Sequence, residues 1–293
     1  MWERALIGLA GTRLSEAERR MIASRPPRGV ILFSRNIETP AQLRALIDDV
    51  RDAAGEYLWA AIDEEGGGVR RIPWPPFDAR PAAAVYGALW REDPDAAAAR
   101  VRADAERVGE ALAGLGITHN CMPVLDVRDA DGHPVIGDRA YGEDPACVAQ
   151  LGAAAIEGLH AAGVAAVGKH FPGHGRARAD SHAARPVVEA PWAALKRDLA
   201  PFAAAIAAGV GHLMTAHVVY AAVDQEIATC SELWIRGILR TKLGFQGMVW
   251  SDDLAMTAVS PDPVRAAKKA LAAGCDVLLA CTPEAAARLY AAA

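Results

Sequence analysis

Apolar positions gather in eight short runs along the chain, at residues 5–10, 29–33, 58–62, 117–124, 164–167, 212–216, 247–250 and 276–280. Read as strands, these runs alternate with longer stretches of helical spacing at 40–53, 94–113, 145–162, 191–208, 231–243 and 262–273. In the first of these, Leu43, Leu46, Ile47 and Val50 fall on one face. Punctuation supports the helices. Thr39-Pro40, Asp93-Pro94 and Asp144-Pro145 each read as an N-cap followed by proline in the first turn. Ala190-Pro191 places proline in the same way behind a poor cap. Gly163, Gly209, Gly244 and Gly274 follow helical runs, where a left-handed residue ends the helix. Strands that alternate with helices pair in parallel through crossovers. Eight such units predict an α/β fold, a single-domain (β/α)₈ TIM barrel over residues 1–293 that ends in a brief helix. No linker divides the chain, and Trp74-Pro75-Pro76-Phe77 reads as a loop after the third strand.

Composition narrows the class. The 293 residues are 52% hydrophobic and 23% charged, an ordinary globular balance far from that of disordered chains. The net charge of −5 and the lack of a basic cluster argue against a nucleic-acid partner. Cys121, Cys147, Cys230, Cys275 and Cys281 are odd in number and form no CxxC pair, so reduced thiols are expected rather than disulfides or a thiolate zinc site. The N-terminal apolar run is too brief for a secretory signal, and no run reaches the ~18 residues of a membrane span. A cytoplasmic protein without membrane contact is the expectation.

Active sites of such barrels lie at the C-terminal ends of the strands. There the third run is followed by Asp63-Glu64-Glu65-Gly66-Gly67-Gly68, three carboxylates and three glycines suited to ligand hydroxyls or, more plainly, to an acidic loop. The fourth is followed by Asp126 and, further on, Arg139, a candidate clamp for a polar ligand. The fifth leads into Lys169-His170-Phe171-Pro172-Gly173-His174-Gly175 and then Asp180-Ser181-His182. Pro172-Gly173 rules out a helical zinc pair of His170 and His174. Asp180 stands where it can orient the His182 imidazole. His217 follows the sixth run, and Ser251-Asp252-Asp253-Leu254 the seventh. Since strand neighbours alternate faces, one of the two aspartates is expected to face the mouth and the other the wall. A carboxylate nucleophile with a separate proton donor is the requirement of retaining glycoside hydrolysis. Histidine can fill the second role near neutral pH.

These residues together resemble the glycoside hydrolase family 3 β-N-acetylglucosaminidases of bacterial peptidoglycan recycling, the NagZ group. The likeness spans nearly the whole chain. It rests above all on the Lys169–Gly175 run, the trailing Asp180-Ser181-His182 and Ser251-Asp252-Asp253-Leu254. The resemblance implies Asp252 as the nucleophile that forms a glycosyl-enzyme. It implies His182 as the acid/base, with Asp180 as its partner. Asp63, Arg71, Arg139, Lys169 and His170 are the residues it implies for the N-acetylglucosamine. The implied substrate is N-acetylglucosaminyl-anhydro-N-acetylmuramic acid, with or without its peptide. The implied setting is cell-wall biogenesis, with its links to cell shape and division. No cofactor or metal is implied, and a monomer is expected.

The chain departs from the family pattern in two ways. Where the family reads Asp-Gln-Glu-Gly-Gly-Arg-Val, this chain has Glu64 for the amide and Gly68 for the arginine, each one charge unit more negative. Arg70 is expected to compensate in part. The sequence also ends sooner than its relatives after the last strand, with an expected loss of stability or barrel closure. Three other readings stay open on residues alone. One is a metal-dependent hydrolase using His170, His174, His182, His217, Asp252 and Asp253. Another is a non-catalytic sugar-binding barrel. The third is a glycoside phosphorylase.

Overall fold

The computed structural model describes residues 1–55, 57–181 and 185–293. Its strands in chain order are β1 (Ala5–Gly8), β2 (Gly29–Leu32), β3 (Trp59–Ile62), β4 (His119–Asn120), β5 (Ala165–Phe171), β6 (Val187–Val188), β7 (His212–Thr215), β8 (Val219–Tyr220), β9 (Met248–Asp253) and β10 (Val277–Ala280). Eight of them close a parallel barrel in the order β1-β10-β9-β7-β5-β4-β3-β2. β6 and β8 pair with each other outside it. The expected barrel is therefore present, and it closes through Ala5↔Leu278, Leu6↔Leu279 and Ile7↔Ala280.

Alternation along the strands builds two apolar layers. Leu6, Ile31, Ala61, Cys121, Val167, Met214, Trp250, Val277 and Leu279 form a cluster of their own that fills the barrel interior. Their neighbours Ala5, Ile7, Val30, Leu32, Ala60 and Ile62 join the larger outer core beneath the helices. The interior is thus a plug, which leaves the strand ends as the place for a ligand.

The helices are α1 (Glu16–Ser24), α2 (Pro40–Ala54), α3 (Ala83–Trp90), α4 (Pro94–Gly114), α5 (Pro145–Ala161), α6 (Trp192–Asp198), α7 (Ala200–Ala207), α8 (Pro263–Ala273) and α9 (Pro283–Ala291). A π-helical segment spans Leu233–Lys242, within the predicted 231–243. Thr39, Asp93 and Asp144 cap as expected, each accepting a first-turn amide. Gly163, Gly209, Gly244 and Gly274 all adopt positive φ. The predicted helix 191–208 is instead two helices, because Pro201 lacks the N–H that would continue the ladder across Leu199. α1 and α3 were not anticipated. All five cysteines are free thiols. Among the described residues no helix is long and apolar enough to cross a membrane.

At the opposite end of the barrel, Trp59, His119, His212 and Trp250 pack ring against ring, with centroids 4.3–6.0 Å apart. Burial holds His119 down to about 3 and His212 to about 4. An unfolded histidine binds its proton near pH ~6.5, so acid favours the unfolded chain. The contribution of these rings is complete above that value and is lost as pH falls toward their folded pKa values. Unfolding free energy should drop by about 2 kcal/mol per buried histidine by pH ~5. Denaturant titrations at several pH values should show a shallower slope, by about one proton, for His119→Phe. An unchanged slope would contradict this account.

Candidate active site

The mouth of the barrel holds a cavity of about 320 Å³. Asp63, Arg71, Arg139, Lys169, His170 and Asp252 all line it. Two strands reach further than the apolar runs foretold, and both are irregular where they meet the cavity. β5 pairs Gly168 with Leu213 and Phe171 with Thr215, so two residues, Lys169 and His170, oppose one on β7. β9 pairs Trp250 with Val277 and Asp253 with Leu279, so Ser251 and Asp252 oppose one on β10. Such bulges re-aim side chains that strict alternation would send to opposite faces. They explain why Lys169 and His170, and likewise Asp252 and Asp253, line one cavity.

Five charges on one side of the cavity form a chain of ion pairs. Lys169 Nζ lies 2.7 Å from Asp63 Oδ1 and 2.6 Å from Glu65 Oε1. Arg139 donates Nε and Nη2 to the two Glu65 oxygens, both at 2.8 Å, and Nη1 to the Val135 carbonyl. Arg71 Nη2 is 3.4 Å from Asp63 Oδ2, and its guanidinium lies over the Phe33 ring at 5.6 Å. Burial would raise the Asp63 and Glu65 acids, but Lys169 reverses it, helped by Arg71 at Asp63 and Arg139 at Glu65. Asp63 is held below the usual carboxylate range and Glu65 at about 2. Burial likewise opposes the Lys169 charge, and the two carboxylates outweigh it, so Lys169 stays protonated. Separating a buried pair of this kind by removing one partner commonly costs ~3–5 kcal/mol. Glu65 has no assigned part in the sequence reading, yet it ties Arg139 to Lys169. Arg139 also lines the cavity, and these three bonds use three of the five N–H donors of its guanidinium.

His170 is fixed from below. Its Nδ1 donates to Asp126 Oδ2 at 2.7 Å, because Asp126 is a carboxylate, held at about 2 against its burial by His170. Asp126 Oδ1 also accepts the amides of His170 and His174, at 3.1 and 2.7 Å. One buried carboxylate thereby pins the whole run after β5. His174 is buried, which lowers it to about 4, and its Nε2 lies 3.2 Å from Ser181 Oγ.

The paired aspartates have different surroundings. Burial raises Asp253, although its Oδ1 accepts the amides of Ala255 and Cys281, both at 3.1 Å. Asp252 feels the same burial, yet His217, His170, the Asp253 amide and Lys169 hold it below the usual range. Its Oδ1 accepts the Asp253 amide at 2.8 Å. Among the described residues its second oxygen makes no hydrogen bond. His217 Nε2 donates to the Asp253 carbonyl at 3.0 Å, so Nδ1 accepts from the Thr229 hydroxyl at 2.7 Å. This locks the ring beside the aspartates.

Asp180 is half-buried and does not line the cavity. His182 lies outside the described residues. Ser181 is buried, and its carbonyl accepts the Ala258 amide, which ties the run after β5 to the run after β9. Arg70 turns to the Asp78 carbonyl at the surface, so it does not supply charge to the cavity. Gly68 stands in open space. Among the described residues no three of His, Cys, Asp and Glu gather as a metal site.

A barrel whose mouth sets an ionised carboxylate beside fixed cations is the frame of a glycoside-cleaving enzyme. The chain belongs to glycosyl hydrolase family 3, whose N-terminal domain matches residues 4–293. It is 41% identical over 279 residues to a beta-hexosaminidase of Thiobacillus denitrificans, covering 94% of this chain and 77% of that protein. It is 42% identical over 279 residues to the beta-hexosaminidase of Bordetella avium, covering 94% and 79%. Among solved structures it is similar to NagZ from Neisseria gonorrhoeae in complex with N-trifluoroacetyl-D-glucosamine. That match has a TM-score of 0.91 at 35% identity, over 99% of this chain and 84% of the other. The protein is a glycoside hydrolase of the beta-hexosaminidase type.

Proposed function

We propose that residues 1–293 act as one catalytic barrel that removes terminal β-linked N-acetylglucosamine with retention of configuration. Asp252 attacks the anomeric carbon as the bond to the leaving oxygen breaks. His182 protonates that oxygen and then deprotonates the water that releases the sugar, with Asp180 orienting it. Asp63, Arg71, Arg139, Lys169 and His170 bind hydroxyl and acetamido groups. The observation that carries this reading is the ionised Asp252 in the same cavity as the Asp63–Lys169 pair. The substrate is N-acetylglucosaminyl-anhydro-N-acetylmuramic acid, with or without peptide, in a cytoplasmic step of peptidoglycan recycling. The enzyme works as a monomer without cofactor.

Hydrolysis of para-nitrophenyl β-N-acetylglucosaminide, followed by proton NMR, tests it. The β-anomer of the free sugar should appear first and convert to the α-anomer by mutarotation. Initial release of the α-anomer would overturn retention. A sugar phosphate formed only in phosphate buffer would mark a phosphorylase instead.

A further inference from the structure

Between Asp63 and Glu65, two carboxylates that line the cavity, stands a third with a different environment. Glu64 follows Asp63 and precedes Glu65, and by alternation it points away from the mouth. It is fully buried. Its backbone is clasped by Asn120, whose Oδ1 accepts the Glu64 amide and whose Nδ2 donates to the Glu64 carbonyl, both at 3.0 Å. Arg80 Nη1 donates to the same carbonyl at 2.8 Å and is itself held by Asp104. The side chain then reaches across the loop. Its Oε2 accepts the amides of Arg71 at 2.8 Å and Ile72 at 3.0 Å. Among the described residues its Oε1 is buried with no partner.

We propose that Glu64 is a positioning residue for sugar binding: its Oε2 clasps the loop after β3 so that Arg71 is presented to the cavity. The loop leaves the strand at Asp63 and turns at Gly66 and Val69. It returns at Arg71, whose side chain meets Asp63 and Phe33. Without the clasp, the two amides at the return point would be buried and unpaired, and the arginine would lose its fixed origin. Only one acceptor oxygen does this work, so charge is not required. Burial in fact raises the Glu64 acid above its usual value, despite the two amides. A glutamine carbonyl would accept the same two amides, with its NH₂ in the place of the unpaired oxygen.

The inference rests on Arg71 binding the sugar, and the experiment separates the two. KM and kcat on para-nitrophenyl β-N-acetylglucosaminide are measured for Glu64→Gln, Glu64→Leu, Arg71→Ala and the Glu64→Leu/Arg71→Ala pair. Glu64→Gln should keep KM within about twofold. Glu64→Leu and Arg71→Ala should each raise KM by about tenfold, with kcat much less affected. The pair should be no worse than Arg71→Ala alone, since both changes remove one interaction. If Arg71→Ala leaves KM unchanged, the sugar-binding role of Arg71 fails. If Arg71→Ala raises KM but Glu64→Leu does not, or if the two effects add, the clasp fails. A glutamine variant as weak as the leucine one would also overturn it. Should Glu64→Leu not fold, amide exchange in the wild type and Glu64→Gln decides. The Arg71 and Ile72 amides should be protected in both, and free exchange at either amide overturns the proposal.

Discussion

Asp252→Ala should lower turnover by on the order of 10⁴ or more while leaving the barrel folded. The size follows from the step removed. Without the carboxylate no glycosyl-enzyme forms, and only binding and proton donation remain. The fold should survive because Asp252 supports little of it. Its one hydrogen bond among the described residues comes from the amide of its own neighbour, Asp253. The groups around it keep other partners: Lys169 stays between Asp63 and Glu65, and His170 stays on Asp126. A second measurement makes the test specific. Azide can enter the space vacated by the side chain and attack the face that Asp252 used. It should restore turnover of an activated aryl glycoside and yield the α-glycosyl azide. Wild-type-like rates in Asp252→Ala, or a β-azide product, would remove Asp252 from the nucleophile's role. Asp253 is then the carboxylate to examine, although its oxygen is committed to the Ala255 and Cys281 amides.

The barrel was legible because strand and helix runs differ in period, and because capping pairs and terminal glycines mark the helix ends. The errors have local causes. Apolar run length stops a strand at its first small or polar residue, here Gly168 and Ser251, and so ends β5 at Val167 and β9 at Trp250. Both continue, to Phe171 and Asp253, because ion pairs and hydrogen bonds satisfy the polar residues that follow. β4 is shorter than its run, since the proline at 123 cannot donate to the ladder, although Val124 still bridges to Lys169. α3 lacks a polar face and so shows no helical period. α1 is dominated by charge, and only its Ser15–Glu18 capping box announces it.

The site divides in the same way. Asp63, Lys169, His170 and Asp252 stand at strand ends and Arg71 on the loop after β3, and the barrel brings them to one cavity. The part of Glu65 was missed, since three adjacent carboxylates look alike as letters. Period two was the available signal: Asp63 and Glu65 share a face and Glu64 takes the other. Asp126 could not be assigned because its work lies in three bonds to residues 44–48 positions away.

His182→Ala should slow substrates in proportion to how badly their leaving groups need a proton. A sugar alcohol leaves as a strong base unless it is protonated in the transition state, so loss of the donor should lower its rate by about 10²–10⁴. A nitrophenolate is stable as an anion, and formation of the glycosyl-enzyme from its glycoside should slow far less. Release from the enzyme still needs water to be deprotonated. The variant should therefore accumulate the Asp252 adduct on the aryl substrate, with a burst of nitrophenol followed by slow turnover. Ser181 is held by His174 and by the Ala258 amide, which joins the run after β5 to the run after β9. Asp180→Ala should then change the pH profile of proton transfer more than KM. If His182→Ala slows aryl and sugar leaving groups equally, and no burst appears, the proton donor is another residue. The raised acid of Asp253 is the alternative the cavity offers.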